Sequence, residues 1–243
     1  MALSLTLNTD VGEGVGEDEA ILSHVDIAFV ASGATVISEN YARHLVRLCQ
    51  KLNIAIGAHV SYIAHENLGS SVLMMSPSLI AATVKNQLAW FSRITRDEAA
   101  AISHVKLRGV LSDFASSDPD VAIAIAETIF AFDSSLVMTV GSTSTLTDAS
   151  KRIGQKILRE VCADRIYESN GSLRPRTLPG ALIDDKAQCL SQVISVAEQN
   201  FVRAFDGSRV WLEADTFSIR NESLKSVALA KYLKDKFAPN ALR

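Results

Sequence analysis

Asn8, Asp10 and Glu13 lie close together in the stretch LSLTLNTDVGEG, residues 3–14, and are side chains that bind polar ligands and move protons. Side chains alternate across a strand, so Asn8 and Asp10, two apart, point the same way if 3–8 is a strand running into this segment. Gly12 and Gly14 free the backbone on either side of Glu13. Polar groups gathered where a strand ends and an α/β pattern begins occupy the place where such folds keep their chemistry. The plainer reading is a charged strand-to-helix turn, because loops are polar for solubility as well. The string GEGVG has neither the GxGxxG spacing nor the Lys-Ser/Thr of a nucleotide P-loop, so nucleotide binding is not read from it.

The elements that must position these groups are visible as alternating apolar runs. Strands are expected at 3–8, 26–31, 54–58, 104–107, 135–140, 157–162 and 209–214. Helical stretches fall between them. The segment 40–50 carries Leu45, Leu48 and Cys49 at helical spacing, and Ser76-Pro77 and Asp118-Pro119 each combine an N-cap with proline at the first helical position. Asp184-Asp185 opens another helix, and Ser223 to Phe237 forms the last. Seven strand–helix alternations predict a mainly parallel sheet covered by helices and closed, or nearly closed, into a barrel. Long connections run from about His59 to Met75 and from about Ala163 to Leu182. If the strands are parallel, both leave the rim that carries Glu13. The second contains Asp164, Arg165, Arg174 and Arg176. His59 follows a small-residue strand onto the same rim, with Lys106 near it. His104 starts its strand, at the opposite end, and reads as structural.

Composition narrows the class. The chain has 243 residues, with 48% hydrophobic residues and a net charge of −3 from 24 Lys+Arg against 27 Asp+Glu. That suits one domain over 1–243 with a substantial core, and without clustered cations it argues against a nucleic-acid surface. Cys49, Cys162 and Cys189 are far apart and in no metal-ligand spacing, as expected of reduced thiols. No basic region followed by an apolar run opens the chain, and no apolar stretch approaches the ~20 residues of a bilayer span. The expectation is a cytoplasmic protein with no membrane role.

Five stretches occur in order: LNTDVGEG (7–14), AIGAHVSY (55–62), HVKLRGVL (104–111), EVCADRIYESNGSLRPRTLPGALI (160–183) and DTFS (215–218). In content and spacing they resemble the A-subunit family of 5-oxoprolinase, also called the LamB/YcsF lactam-utilisation family, over nearly the whole chain. The resemblance implies a seven-stranded β/α barrel of the glycoside hydrolase/deacetylase type. It also implies ATP-dependent opening of 5-oxoproline, or a related cyclic amide, to glutamate, shared with B- and C-type partner subunits. ATP then enters through the partners and no tightly bound cofactor is expected; self-association is left open. A lactam is a resonance-stabilised amide, so its hydrolysis benefits from activating the carbonyl, from groups that move protons and from cations that hold an oxyanion. The matching positions offer Asp10, Glu13 and His59 as catalytic groups. Asn8, Lys106, Asp164, Arg165, Arg176 and Asp215 are the corresponding substrate-binding candidates, arginine being suited to a planar carboxylate.

The chain also departs from the family pattern. Where the family reads ACGFHAGD, this chain has AFVASGAT, with Ser32 about where the histidine falls. HVKPHG becomes HVKLRG, placing Arg108 at a histidine position. GR becomes Gly69-Ser70, and CLHGD becomes WLEAD, with Glu213 at another histidine position. His65 is a candidate replacement. An imidazole exchanges protons near neutral pH and a guanidinium does not, so Arg108 and Glu213 are expected to be a compensating ion pair across the rim. Two alternatives follow: a family member that binds or assembles without turnover, and a metal-dependent deacetylase-like hydrolase using Asp10, His59 and His65.

Overall fold

A computed structural model of the chain describes residues 5–33, 37–61 and 76–237. Its barrel strands are β1 (Leu7–Val11), β2 (Ile27–Ala31), β3 (Ala55–Ser61), β4 (His104–Arg108), β5 (Val137–Gly141) and β6 (Lys156–Cys162). A short antiparallel ribbon follows, β7 (Phe201–Arg203) with β8 (Arg209–Trp211), and then β9 (Thr216–Ser218). The order β1-β2-β3-β4-β5-β6-β9 closes on itself, and every pair in the ring is parallel. The expected seven-stranded β/α barrel is therefore formed. The helices are α1 (Asp18–Leu22), α2 (Glu39–Leu52), α3 (Pro77–Asp97), α4 (Val110–Ser117), α5 (Pro119–Phe132), α6 (Thr145–Arg152), α7 (Lys186–Gln199) and α8 (Leu224–Phe237).

Local chemistry starts the helices where the sequence suggests. The Ser76 hydroxyl accepts from the Leu79 amide, Asp118 from Asp120 and Val121, and Asp185 from Gln188. The outward faces of the strands pack on these helices through Leu7, Val30, Val60, Val105 and Val161, all essentially buried. Inside the barrel the floor is the Phe29 ring. It meets His104 edge-on at 6.4 Å, and a Cβ on Gly57 would lie 2.4 Å from it, so glycine there makes room for the ring.

Two expectations are corrected. The first strand is Leu7–Val11 and not 3–8, which puts both Asn8 and Asp10 inside it. The seventh barrel strand is β9 and not 209–214. Trp211 is exposed while Val210 is covered, the alternation of a ribbon with one buried face, whereas all of Thr216, Phe217 and Ser218 are buried as a barrel strand requires. His65, Gly69 and Ser70 lie outside the described residues.

Candidate active site at the C-terminal rim

Alternation along β1, β3, β4 and β6 turns Asn8, Asp10, His59, Lys106, Arg108, Glu160 and Cys162 to the barrel interior. Lys106 is the hub. Its Nζ lies 3.2 Å from Asp10, 2.7 Å from Glu160 and 3.3 Å from the Asn8 side-chain oxygen, and stands 5.1 Å over the Phe29 ring. Arg108 spans the two carboxylates expected to do chemistry, with Nη1 2.8 Å from Asp10 and Nη2 2.7 Å from Glu13. Burial alone would raise the Asp10 pKa, but Lys106, His59 and Arg108 together hold it well below the ordinary carboxylate value. Burial would likewise depress Lys106, and Asp10 and Glu160 keep it protonated. Glu13 behaves differently. Burial raises its pKa and Asp10 adds to this, with Arg108 opposing.

His59 is almost fully buried, with Nδ1 3.9 Å from Glu13. Burial first, then Arg108 and Lys106, outweigh Asp10 and depress its pKa to about 4, so the imidazole is neutral at pH 7. Neither ring nitrogen has a hydrogen-bond partner among the described residues. His59 is also not on the described wall of the adjoining cavity, where it was expected; it stands behind Glu13.

The loop carrying Glu13 is held from below. Asp18 accepts from the Gly12 amide at 2.9 Å and from the Tyr41 hydroxyl at 3.1 Å, and the Asn221 side-chain amide donates to it at 2.5 Å. Gly12 takes a φ of +87°, a left-handed conformation open to glycine. The connection 163–182 is internally braced. Arg165 donates to the carbonyls of Ala181 and Arg174, and Arg174 pairs with Glu168. Asp164 is buried against Arg220, with Nε at 2.7 Å. The two neighbours Asp164 and Arg165 therefore do not pair with each other. Arg165 has no carboxylate within salt-bridge range among the described residues, and Arg176 pairs with Glu222 at the rim.

A cavity of about 910 Å³ opens here, walled by Asp10, Glu13, Arg108, Asp164, Arg165 and Arg176. A second, of about 580 Å³, shares Lys106, Glu160 and Cys162 and runs beneath α4 and the turn after β5. Glu160 was not singled out in the sequence, and Cys162 was read there only as a reduced thiol. Their spacing in KILREVC, two apart at the end of a strand, carries the same signal as Asn8 and Asp10. The Cys162 thiol is pushed up to about 11 by burial and by Glu160, so it stays protonated.

The expected Arg108–Glu213 pair is not formed. Arg108 is taken by Asp10 and Glu13, while Glu213 is exposed and pairs with Arg159. Arg159 points out of the barrel, since it alternates with Glu160, so Glu213 cannot reach the rim interior. Asp215 precedes β9 and pairs with the same Arg159 at 2.8 Å, and it lines neither cavity. The Ser32 hydroxyl is buried and donates to the Val30 carbonyl. Among the described residues, no three His, Cys, Asp or Glu side chains are grouped to hold a metal ion, and no helix is long and apolar enough to cross a membrane.

Comparison with known proteins agrees with this architecture. The chain is 39% identical over 237 residues to the A subunit of 5-oxoprolinase from Chloroflexus aggregans, covering 96% of this chain and 94% of the relative. The crystal structure of the lactam utilization protein from Thermus thermophilus superposes with a TM-score of 0.86 at 28% identity, covering 96% and 95% of the two chains. An uncharacterized protein from Agrobacterium tumefaciens C58 shares the fold alone, with a TM-score of 0.54 at 10% identity over 96% of this chain and 83% of that one. Residues 5–243 match the LamB/YcsF family throughout, and the chain belongs to it.

Proposed function

We propose that this chain is the A-type subunit of a 5-oxoprolinase and opens a cyclic amide such as 5-oxoproline to glutamate, using ATP together with B- and C-type partner subunits. One observation carries the reading: a cluster of two cations and two carboxylates, Lys106, Arg108, Asp10 and Glu13, faces a cavity at the barrel rim in a chain of this family. The lactam carbonyl needs activation, and a phosphoryl group from ATP placed on its oxygen would supply it. Water then adds to that carbon, the ring C–N bond breaks as nitrogen takes a proton, and a second water releases phosphate with the new carboxylate.

Glu13 suits the base that takes the proton of the attacking water, because its raised pKa makes it the more basic carboxylate of the pair. Asp10 stays ionised and holds the two cations. Lys106 and Arg108 are the charges available to a developing oxyanion. The neutral His59 behind Glu13 can accept a proton at one ring nitrogen and release one from the other. Arg165, a cavity-wall guanidinium without a carboxylate partner among the described residues, fits the substrate carboxylate, with Arg176 beside it.

The deciding experiment measures glutamate release from 5-oxoproline by this chain with ATP and its partner subunits. A family member that keeps the rim histidines runs alongside. ATP-dependent glutamate supports the reading; none, with the control active and the complex with its partners intact, overturns it. Arg108 favours one alternative, a protein that binds without turnover, because it already occupies both carboxylates. Arg108→His distinguishes the two: activity gained only in that variant assigns the native chain to binding.

A further inference from the structure

The smaller chamber is not needed to hold a lactam ring, yet its lining is built as a set of donors. Thr139 lies beside Lys106 in the β4–β5 register, is 4% exposed and lines the chamber, and its buried hydroxyl has no partner among the described residues. The strand it belongs to ends in Gly141-Ser142-Thr143-Ser144, which turns directly into the N-terminus of α6, where the Ser144 hydroxyl accepts from Leu146. The amides of Ser142 and Thr143 meet no backbone or side-chain acceptor among the described residues. The Ser142 hydroxyl oxygen already accepts from the Glu213 amide at 3.1 Å, which orients it and leaves its proton free to donate. These free amides stand in the turn before the helix, since Ser144 already meets the Leu146 and Thr147 amides of its first turn, and unpaired N–H groups beside the positive end of a helix favour negative charge. The lining has two acids that could oppose this. Glu160 is paired at 2.7 Å with Lys106, a cation it shares with Asp10, and burial raises the pKa of Asp113.

We propose that this chamber is a phosphoryl subsite: Thr139 and the turn Ser142–Thr143, which leads into α6, receive a terminal phosphoryl group whose bridging oxygen lies at Lys106. The placement follows from the junction. Lys106 and Glu160 belong to both chambers, so a group bonded to an oxygen beside Lys106 can extend into the donor-lined space while the ring stays against Asp10 and Glu13. This rests on the proposed ring-opening reaction for its purpose, but phosphoryl binding is measurable without turnover.

The test titrates inorganic phosphate, and separately ADP, into the intact chain by calorimetry at constant ionic strength. Thr139→Val keeps the side-chain shape and removes the hydroxyl; Thr143→Pro removes an amide donor at an exposed position. Each should weaken phosphate binding about tenfold, the loss expected for one hydrogen bond to a charged acceptor. Asp10→Asn, in the other chamber, should leave phosphate binding in place even though it abolishes ring opening. Thr139-dependent binding of phosphate with ADP no tighter assigns the subsite to a phosphorylated small molecule; ADP markedly tighter assigns it to a nucleotide. Absence of phosphate binding, or equal binding by wild type and by both the Thr139→Val and Thr143→Pro variants, overturns the proposal. No glutamate formation by the wild-type chain with its partner subunits and ATP, while its Thr139-dependent phosphate binding is intact, would overturn the ring-opening reading and leave the subsite standing.

Discussion

Arg108 decides what the two rim carboxylates can do, because a permanent cation stabilises their ionised forms without being able to exchange a proton. Replacing it by glutamine should raise the Glu13 pKa further and move the acid limb of the pH–rate profile upward. It should cost only about 1–2 kcal/mol in stability, since the side chain is 35% exposed and water screens part of the loss. Urea midpoints and a pH–rate profile check both, and an unmoved acid limb would remove Glu13 from the base role. His59 gives a second test. Its pKa in the native protein, about 4, lies below the unfolded value of 6.5, so between these the unfolded chain binds the extra proton. Its contribution is therefore complete above pH 6.5 and fades as pH falls toward 4, by about 3 kcal/mol in all. Glu13, raised instead, acts in the opposite sense and offsets part of this. His59→Asn should flatten the loss of stability between pH 6.5 and 4.5, read from urea midpoints; an unchanged slope would mean His59 is not held neutral by burial. Asp10, Glu13 and Lys106 were legible because their types and strand positions announce them. The partner of Arg108 was not, because sequence gives the sign of a charge and not whether its side chain faces into the barrel.

At the scale of elements, the rim depends on backbone that few residues can adopt. Gly16 has a φ of +82°, and a Cβ there would lie 2.1 Å from the Asn221 carbonyl oxygen, which is backbone and cannot swing aside. The Asn221 side chain also accepts from the Glu17 amide and donates to Asp18, so displacing Asn221 loosens the loop that presents Glu13. Gly16→Ala should cost about 2 kcal/mol or more and reduce turnover, whereas Gly14→Ala, where a Cβ meets nothing within 4 Å, should cost only its backbone strain of about 1–2 kcal/mol. Thermal melts of the pair check the ranking, and equal losses would mean that strain alone matters at both positions. The helix starts at Ser76-Pro77, Asp118-Pro119 and Asp185 were readable because capping is local chemistry. β9 was not. Three residues are too few for a periodic signal, and RVWLEA nearby offers a stronger apolar pattern that the protein uses in the β7–β8 ribbon instead.

Across the whole molecule, closure depends on that short strand. β9 joins β1 through two residue pairs and β6 through three, against five pairs between β2 and β3. Side-chain bonds reinforce the seam. The Thr216 hydroxyl donates to the Thr6 carbonyl at 3.0 Å and accepts from the Asn8 side-chain amide at 3.0 Å, and the Thr9 hydroxyl donates to Ile219 at 2.8 Å. Closure is also what brings β1 next to β6 across β9, and so sets Asp10 and Glu160 on either side of Lys106. Thr216→Val preserves shape but leaves the buried Asn8 amide short of a partner, while the Thr6 carbonyl keeps only the Phe217 amide, a loss of about 2 kcal/mol. Amide hydrogen exchange is the measurement that sees where this loss falls. The amides of Phe217 and Ile219, which donate across the seam to Thr6 and Asn8, should lose protection in the variant while those of β2 and β3 keep theirs. That pattern makes β9 a gate that opens locally and carries the site's geometry with it. Equal loss of protection around the ring would mean instead that the seven strands open as one unit, and that the seam is no weaker than the rest.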